Sequence, residues 1–221
     1  MNASPAIYDR RLFLLDCIEL LAVIFRGPDA QTCAGMILEG IPQLVSTNPL
    51  DEPHLKAALE NLQASIPGPD RGRDAAGRFC SDLEPEYVRL FISAGGGVPA
   101  PLYESCHVSQ DHAVMGDSAL RMRDRLQEAG LEVGGPSNEP PDHLGIELEY
   151  LYFQLSKAWG MRDDKRLEHG VLFAGTVMLP WVRLFAASVG EAAPEGFFQR
   201  AAGLLVAVLE LLAEGPSHHR R

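Results

Sequence analysis

Apolar residues recur at helical spacing through nearly every long segment of this chain, and no segment alternates in the two-residue rhythm of a strand. That property confines the chain to helix-on-helix packing, because a helix with one apolar face must bury it against a neighbour. Prolines and glycines then divide the run. Ser4-Pro5 has the form of an N-cap followed by proline at the first helical position. Ile7, Phe13, Leu14, Ile18, Leu21 and Phe25 follow on roughly one side, until Gly27-Pro28 stops the helix. Asp29 is placed to cap a second helix ending near Gly40, and Asp51, Glu52 and Pro53 open a third that buries Leu55, Leu59 and Leu62. Residues 67–78 read as a charged, glycine-rich loop, and Asp82 as the start of a helix through Tyr87, Leu90 and Phe91. The run Gly95-Gly96-Gly97-Val98-Pro99-Ala100-Pro101 breaks that helix. A helix from about Asp111 to Ala129 is closed by Gly130, and another begins at Leu144 and ends near Gly160. The last two cover about Asp164 to Val189, with a kink or division at Pro180, and Pro194 to Ala213. The expectation is an all-α fold: a single compact helical domain of about eight to ten helices over residues 1–213. Residues 214–221 are expected to form a disordered tail.

A length of 221 residues suffices for one substantial domain. The 19 basic and 30 acidic residues leave a net charge of −11, and the one basic cluster, His218-His219-Arg220-Arg221, is terminal. A nucleic-acid binder needs a basic stripe to displace counterions, so nucleic acid is excluded as a partner, while a basic peptide segment is favoured. Cys17, Cys33, Cys80 and Cys106 are scattered without a Cys-x-x-Cys pair, which argues against zinc ribbons and thioredoxin-type redox motifs. Cys17 lies in an apolar run and reads as a small core residue; the set suggests a reducing compartment. No basic segment followed by an uninterrupted apolar stretch marks a signal peptide, and Leu12 to Phe25 contains Asp16 and Glu19 and is too short to span a bilayer. The expectation is a cytoplasmic protein with no stable membrane insertion.

The densest chemical signal is Glu139-Pro140-Pro141-Asp142-His143-Leu144. Two adjacent prolines cannot continue a helix, yet helical spacing resumes at once through Leu144, Leu148, Leu151 and Leu155. The loop therefore delivers Glu139, Asp142 and His143 to a helix mouth, where unpaired N–H groups and the dipole favour carboxylates. His143 and Glu147 share a helical face and with Glu139 form a candidate metal corner, but the paired Glu-x-x-His helices of a di-iron bundle are missing. Asp142-His143 has the look of two thirds of a triad; no Gly-x-Ser-x-Gly elbow exists, and Ser105 lacks a strand-turn-helix context. Gly95-Gly96-Gly97 lacks the Lys-Ser/Thr and the preceding strand of a phosphate loop. Tyr87, Leu90 and Phe91 read equally as core and as an apolar anchor running into Pro99-x-Pro101-x-Tyr103.

Together these elements resemble the TorD/DmsD family of redox-enzyme maturation chaperones. The aromatic-x-x-Leu-Phe helix is matched by Tyr87-Val88-Arg89-Leu90-Phe91, and the Pro-Tyr-x-Ser segment loosely by Pro101-Leu102-Tyr103-Glu104-Ser105. Glu139 to Leu144 matches the Glu-Pro-x-Asp-His-Leu element completely, and Met178-Leu179-Pro180-Trp181 and Phe197-Phe198 match later positions. Leu102 stands where tyrosine is commoner, and Ser105-Cys106-His107 departs from Ser-x-Tyr. The resemblance implies a cytoplasmic, non-enzymatic chaperone. Its partner would be a molybdoenzyme catalytic subunit and that subunit's twin-arginine signal peptide, held until the molybdenum cofactor is inserted. It implies no metal or cofactor of its own. The implied peptide-binding residues are Tyr87, Leu90, Phe91, Pro99, Pro101, Tyr103, Ser105, Glu139, Pro140, Asp142 and His143. Arginine pairs readily with Glu139 or Asp142. Asp142 is expected to hold the helix start while His143 and Glu139 face the peptide, so that replacing Asp142 and His143 by alanine weakens binding without unfolding. The alternatives are a chaperone gripping the mature part of a nitrate-reductase-like subunit and a metal-dependent helical enzyme using His143, Glu139 and Glu147. Both a monomer and a domain-swapped dimer suit long helices joined by a glycine loop. Some members bind guanine nucleotide, but no phosphate loop here supports that.

Overall fold

The computed structural model describes residues 5–27, 29–109, 116–132 and 139–215, and among them every regular element is helical. In order these are α1 (Pro5–Arg26), α2 (Ala30–Gly35), α3 (Ile41–Thr47), α4 (Pro53–Ala64), α5 (Gly72–Tyr87) and α6 (Glu104–Val108). Then come α7 (Asp117–Glu128), α8 (Leu144–Met161), α9 (Asp164–Leu172), α10 (Leu179–Ala192) and α11 (Phe197–Ala213). A single apolar core runs from Phe13 to Leu212, with Trp181, Phe25 and Phe185 its largest fully buried side chains. α11 is apolar almost all round and therefore central, packed between α10 and α4, while α1 lies along α8. The stretch Asp164–Ala192 is long and apolar enough to cross a membrane by length and composition. Its Trp181, Val182, Phe185 and Val189 are instead buried in the protein's own core.

Several helix limits differ from the sequence reading, each for a local reason. Asp29 does cap α2, its Oδ1 accepting the N–H of Gln31 at 2.9 Å and of Thr32 at 3.0 Å. The helix does not stop at Gly40, because a π turn over Met36–Gly40 carries it into α3. Further π turns occupy Val88–Ile92 and Phe173–Met178. Pro42 and Pro180 stand two residues beyond two of these turns, so the carbonyl four residues before each lies inside the turn, while Pro85 lies within α5 ahead of the third. A proline lacks the N–H and crowds the carbonyl one turn back, and a widened turn accommodates both defects without ending the helix. Pro180 thus marks the division expected there.

The charged segment 67–78 is a loop only to Arg71; α5 begins at Gly72, because Ala76, Cys80 and Leu83 already form its buried stripe. The final helix begins at Phe197 rather than Pro194. The expected start of the 111–129 helix at Asp111 lies outside the described residues, as do Ser4 and residues 216–221; the described α7 begins at Asp117.

The cysteine reading needs correction. Cys17 is a buried core thiol as expected, but Cys33 and Cys80 are joined in a disulfide that ties α2 to α5. Helical packing places their Cα atoms 6.0 Å apart across 47 residues of sequence, a proximity that scattered spacing does not reveal.

Candidate peptide-binding site

The proline segment and the motif loop are zipped together by main-chain bonds. Leu144 N–H donates to Leu102 C=O at 2.8 Å and Glu104 N–H to Asp142 C=O at 3.0 Å, so Tyr103 and His143 face each other as an isolated antiparallel bridge. Their rings meet edge to face at 5.3 Å. Tyr103 OH donates to Glu139 Oε2 at 2.8 Å, which fixes the aromatic and the carboxylate together at the surface. Burial, reinforced by Glu139, pushes the Tyr103 phenol pKa up, so this hydroxyl stays a donor.

Asp142 does not hold the start of α8. It is fully buried, and its Oδ2 accepts Ser105 N–H at 2.9 Å, capping the neighbouring helix α6 from outside it. The start of α8 is capped by His143, whose backbone is extended (φ −70°, ψ 134°) and whose Nδ1 accepts Gly145 N–H at 3.0 Å. An accepting Nδ1 requires a neutral ring with its proton on Nε2. Burial lowers the His143 pKa, with nearby Arg26 adding to the effect and Glu139 and Asp142 opposing it. One turn on, Glu147 is fully buried and its Oε2 accepts Trp181 Nε1–H at 3.1 Å. Burial first, and the Glu104 carboxylate second, push its pKa well above the ordinary carboxylate value.

A groove of about 500 Å³ opens beside this junction. Tyr87, Phe91, Tyr103, Glu139 and His143 from the expected set line it, together with apolar Ile92, Leu126, Ile146 and Phe153 and the carboxylates of Glu132 and Glu149. It continues past Phe91, Tyr103 and Glu139 into a second depression of about 740 Å³ that includes Pro99 and Pro101. On the other side, Tyr87 and Ile92 are shared with a groove of about 420 Å³ between α2 and α5, where the Cys33–Cys80 bond lies. Tyr87 is also structural: its OH donates to Phe25 C=O at 3.0 Å and its ring meets Phe91 at 5.1 Å. Burial, with Glu139 adding, raises the Tyr87 phenol to about 12.

Leu90, Ser105 and Asp142 are corrected as contact residues, because all three are buried at 0–1% exposure and line neither groove. Pro140 is half-buried and shapes the turn, its carbonyl accepting His143 N–H at 3.1 Å. The metal corner does not assemble either. His143 is committed to Gly145, Glu147 to Trp181 and Glu139 to Tyr103, and among the described residues no group of three His, Cys, Asp or Glu side chains could hold a metal ion. Arg26, Ile92, Glu132 and Glu149 were not apparent from sequence. Ile92 carried one signal, being the next apolar residue after Leu90-Phe91, and it is 56% exposed on the π turn. A π turn inside a helix often marks a functional position.

A family model described as nitrate reductase delta subunit matches residues 48–187, more than half of the chain. Among curated proteins, the chaperone protein TorD of Vibrio vulnificus (strain YJ016) is 27% identical over 161 residues, covering 70% of each chain. The chaperone protein TorD of Salmonella arizonae is 26% identical over 181 residues, covering 77% of this chain and 79% of its own. Among solved structures, a putative redox enzyme maturation protein from Archaeoglobus fulgidus aligns over 90% of this chain and 91% of its own, at 20% identity and a TM-score of 0.47. With the motif residues gathered around one junction and the family model spanning them, the chain belongs to the nitrate reductase delta subunit family, as a chaperone of the TorD/DmsD maturation type rather than an enzyme.

Proposed function

We propose that the groove beside the Tyr103–His143 junction binds the twin-arginine signal peptide of a molybdopterin-dependent oxidoreductase subunit. In the cytoplasm, that would hold the apoprotein until its molybdenum cofactor is inserted. The observation that carries this reading is the groove's composition: Glu132, Glu139 and Glu149 stand beside Ile92, Leu126, Ile146 and Phe153. A twin-arginine leader offers two guanidinium groups followed by an apolar stretch, so carboxylates and apolar surface in one trough complement both parts. Each Å² of apolar peptide surface buried contributes roughly 25 cal/mol before ordering costs, which gives an affinity moderate enough for release.

Calorimetric titration with twin-arginine leaders of molybdoenzymes tests the reading, and folded protein that binds none of them refutes it. The family model's description favours a second reading, in which the mature part of a nitrate-reductase-like subunit is gripped. Binding that survives deletion of the leader from the client selects that reading. A reducing cytoplasm would keep Cys33 and Cys80 as thiols. The cytoplasmic assignment therefore expects four titratable thiols in protein trapped rapidly from cells.

A further inference from the structure

Arg26 closes α1, and its guanidinium meets the carboxylate of Glu149 on α8 at 2.6 Å within the main groove. Both side chains are about half exposed, at 49% and 52%. The contact is prepared by the backbone beneath it. A Cβ added at Gly145 would lie 2.9 Å from Arg26 Cγ, so the arginine stem runs directly across that glycine. Gly145 and Glu149 are four residues apart and therefore share one face of α8. The missing side chain at 145 is thus a channel that leads a guanidinium to Glu149. Of the groove's other two carboxylates, Glu139 on the motif loop already accepts the Tyr103 hydroxyl at 2.8 Å.

We propose that Glu149 is the carboxylate that receives an arginine of the bound peptide, and that Arg26 is a resident substitute which that arginine displaces. The inference rests on the peptide-binding reading above and deepens it. An exposed Arg–Glu pair is weak, and exchanging one guanidinium for another leaves Glu149 with nearly the same partner. Arginine alone therefore gains little at this position, and net affinity comes from the apolar contacts that follow. The device selects peptides that carry both features and rejects segments that are merely cationic.

The test uses the full chain and a synthetic peptide with two adjacent arginines followed by a Leu/Ala stretch, titrated at physiological salt. Arg26→Gln keeps the stem carbons over Gly145 and removes the competing charge, and it should bind about two- to fivefold more tightly, the range an exposed ion pair permits. Glu149→Gln alone should change binding by less than about twofold, because the exchange it abolishes is nearly neutral, whereas in the Arg26→Gln background it should cost the two- to fivefold gain. In the double variant the gain from Arg26→Gln should vanish, because its competitor's partner is gone. A gain that persists in the Glu149→Gln background reduces the effect to general electrostatics and overturns the proposal. So does unchanged or weaker binding by Arg26→Gln whose melting temperature matches the parent. Parent protein that binds the peptide while Arg26→Gln shows no gain sinks this inference alone; no binding by either sinks the peptide-binding reading as well.

Discussion

Replacing Asp142 by alanine should destabilise the protein before it affects any contact with a client. The carboxylate is fully buried and supplies the acceptor for Ser105 N–H at 2.9 Å, in the first turn of α6. Leaving the buried Ser105 N–H without its acceptor costs roughly 1–3 kcal/mol. Among the described residues Asp142 Oδ1 has no hydrogen-bond partner, so its removal returns part of that sum and the expected net loss is about 2 kcal/mol. For a chain of this size that corresponds to roughly 4–8 °C in melting temperature. Asp142→Asn retains an oxygen for Ser105 N–H and should lose less than about 1 kcal/mol. Urea denaturation followed by circular dichroism measures both, with an unchanged m-value showing that the unfolded state is the same. Peptide titrations should then be run where each variant is fully folded. An alanine variant within about 0.5 kcal/mol of the parent would refute the capping role and return Asp142 to the peptide site.

Three further outcomes follow from the same geometry. The His143 pKa is lowered in the folded state from 6.5, so the unfolded chain takes up the proton first; the stability carried by the neutral ring is complete above pH 6.5 and declines as pH falls through the folded value. Denaturation midpoints compared at about pH 7.5 and pH 5.5 should drop more in the parent than in His143→Asn, which can cap α8 without titrating; equal drops would refute it. Gly27→Ala combines a positive φ of +74° with a Cβ 2.9 Å from the Tyr87 ring, and should lose about 1–3 kcal/mol. Combining it with Tyr87→Ala should be less than additive in thermal melts. Reducing the Cys33–Cys80 bond opens a loop of 47 residues and should lower stability by up to about 4 kcal/mol in denaturant titrations with and without a dithiol; Cys80→Ser should be insensitive to the reductant.

Helical periodicity by itself determined that this chain is built from packed helices. The N-cap at Asp29 and the division at Pro180 were also legible, since capping and proline geometry are local properties. The motif Glu139 to Leu144 and the Pro99–Tyr103 segment do meet, and two grooves open at their junction. What local signals did not carry was the direction of each side chain across that junction. Asp142 turns inward to cap α6, and His143 rather than Asp142 caps α8, because the pairing of Leu102 with Leu144 sets which neighbour presents free N–H groups. Leu90 and Ile92 are two residues apart on the same apolar run, yet one is fully buried and the other exposed, because positions two apart point to opposite sides of a helical turn. Glu149, Arg26 and the Cys33–Cys80 bond bring together residues far apart in sequence, and only packing α1 along α8 and α2 against α5 creates those neighbours. Periodicity reports which face a residue shares with its own helix; contact between helices is decided by how all of those faces are satisfied at once.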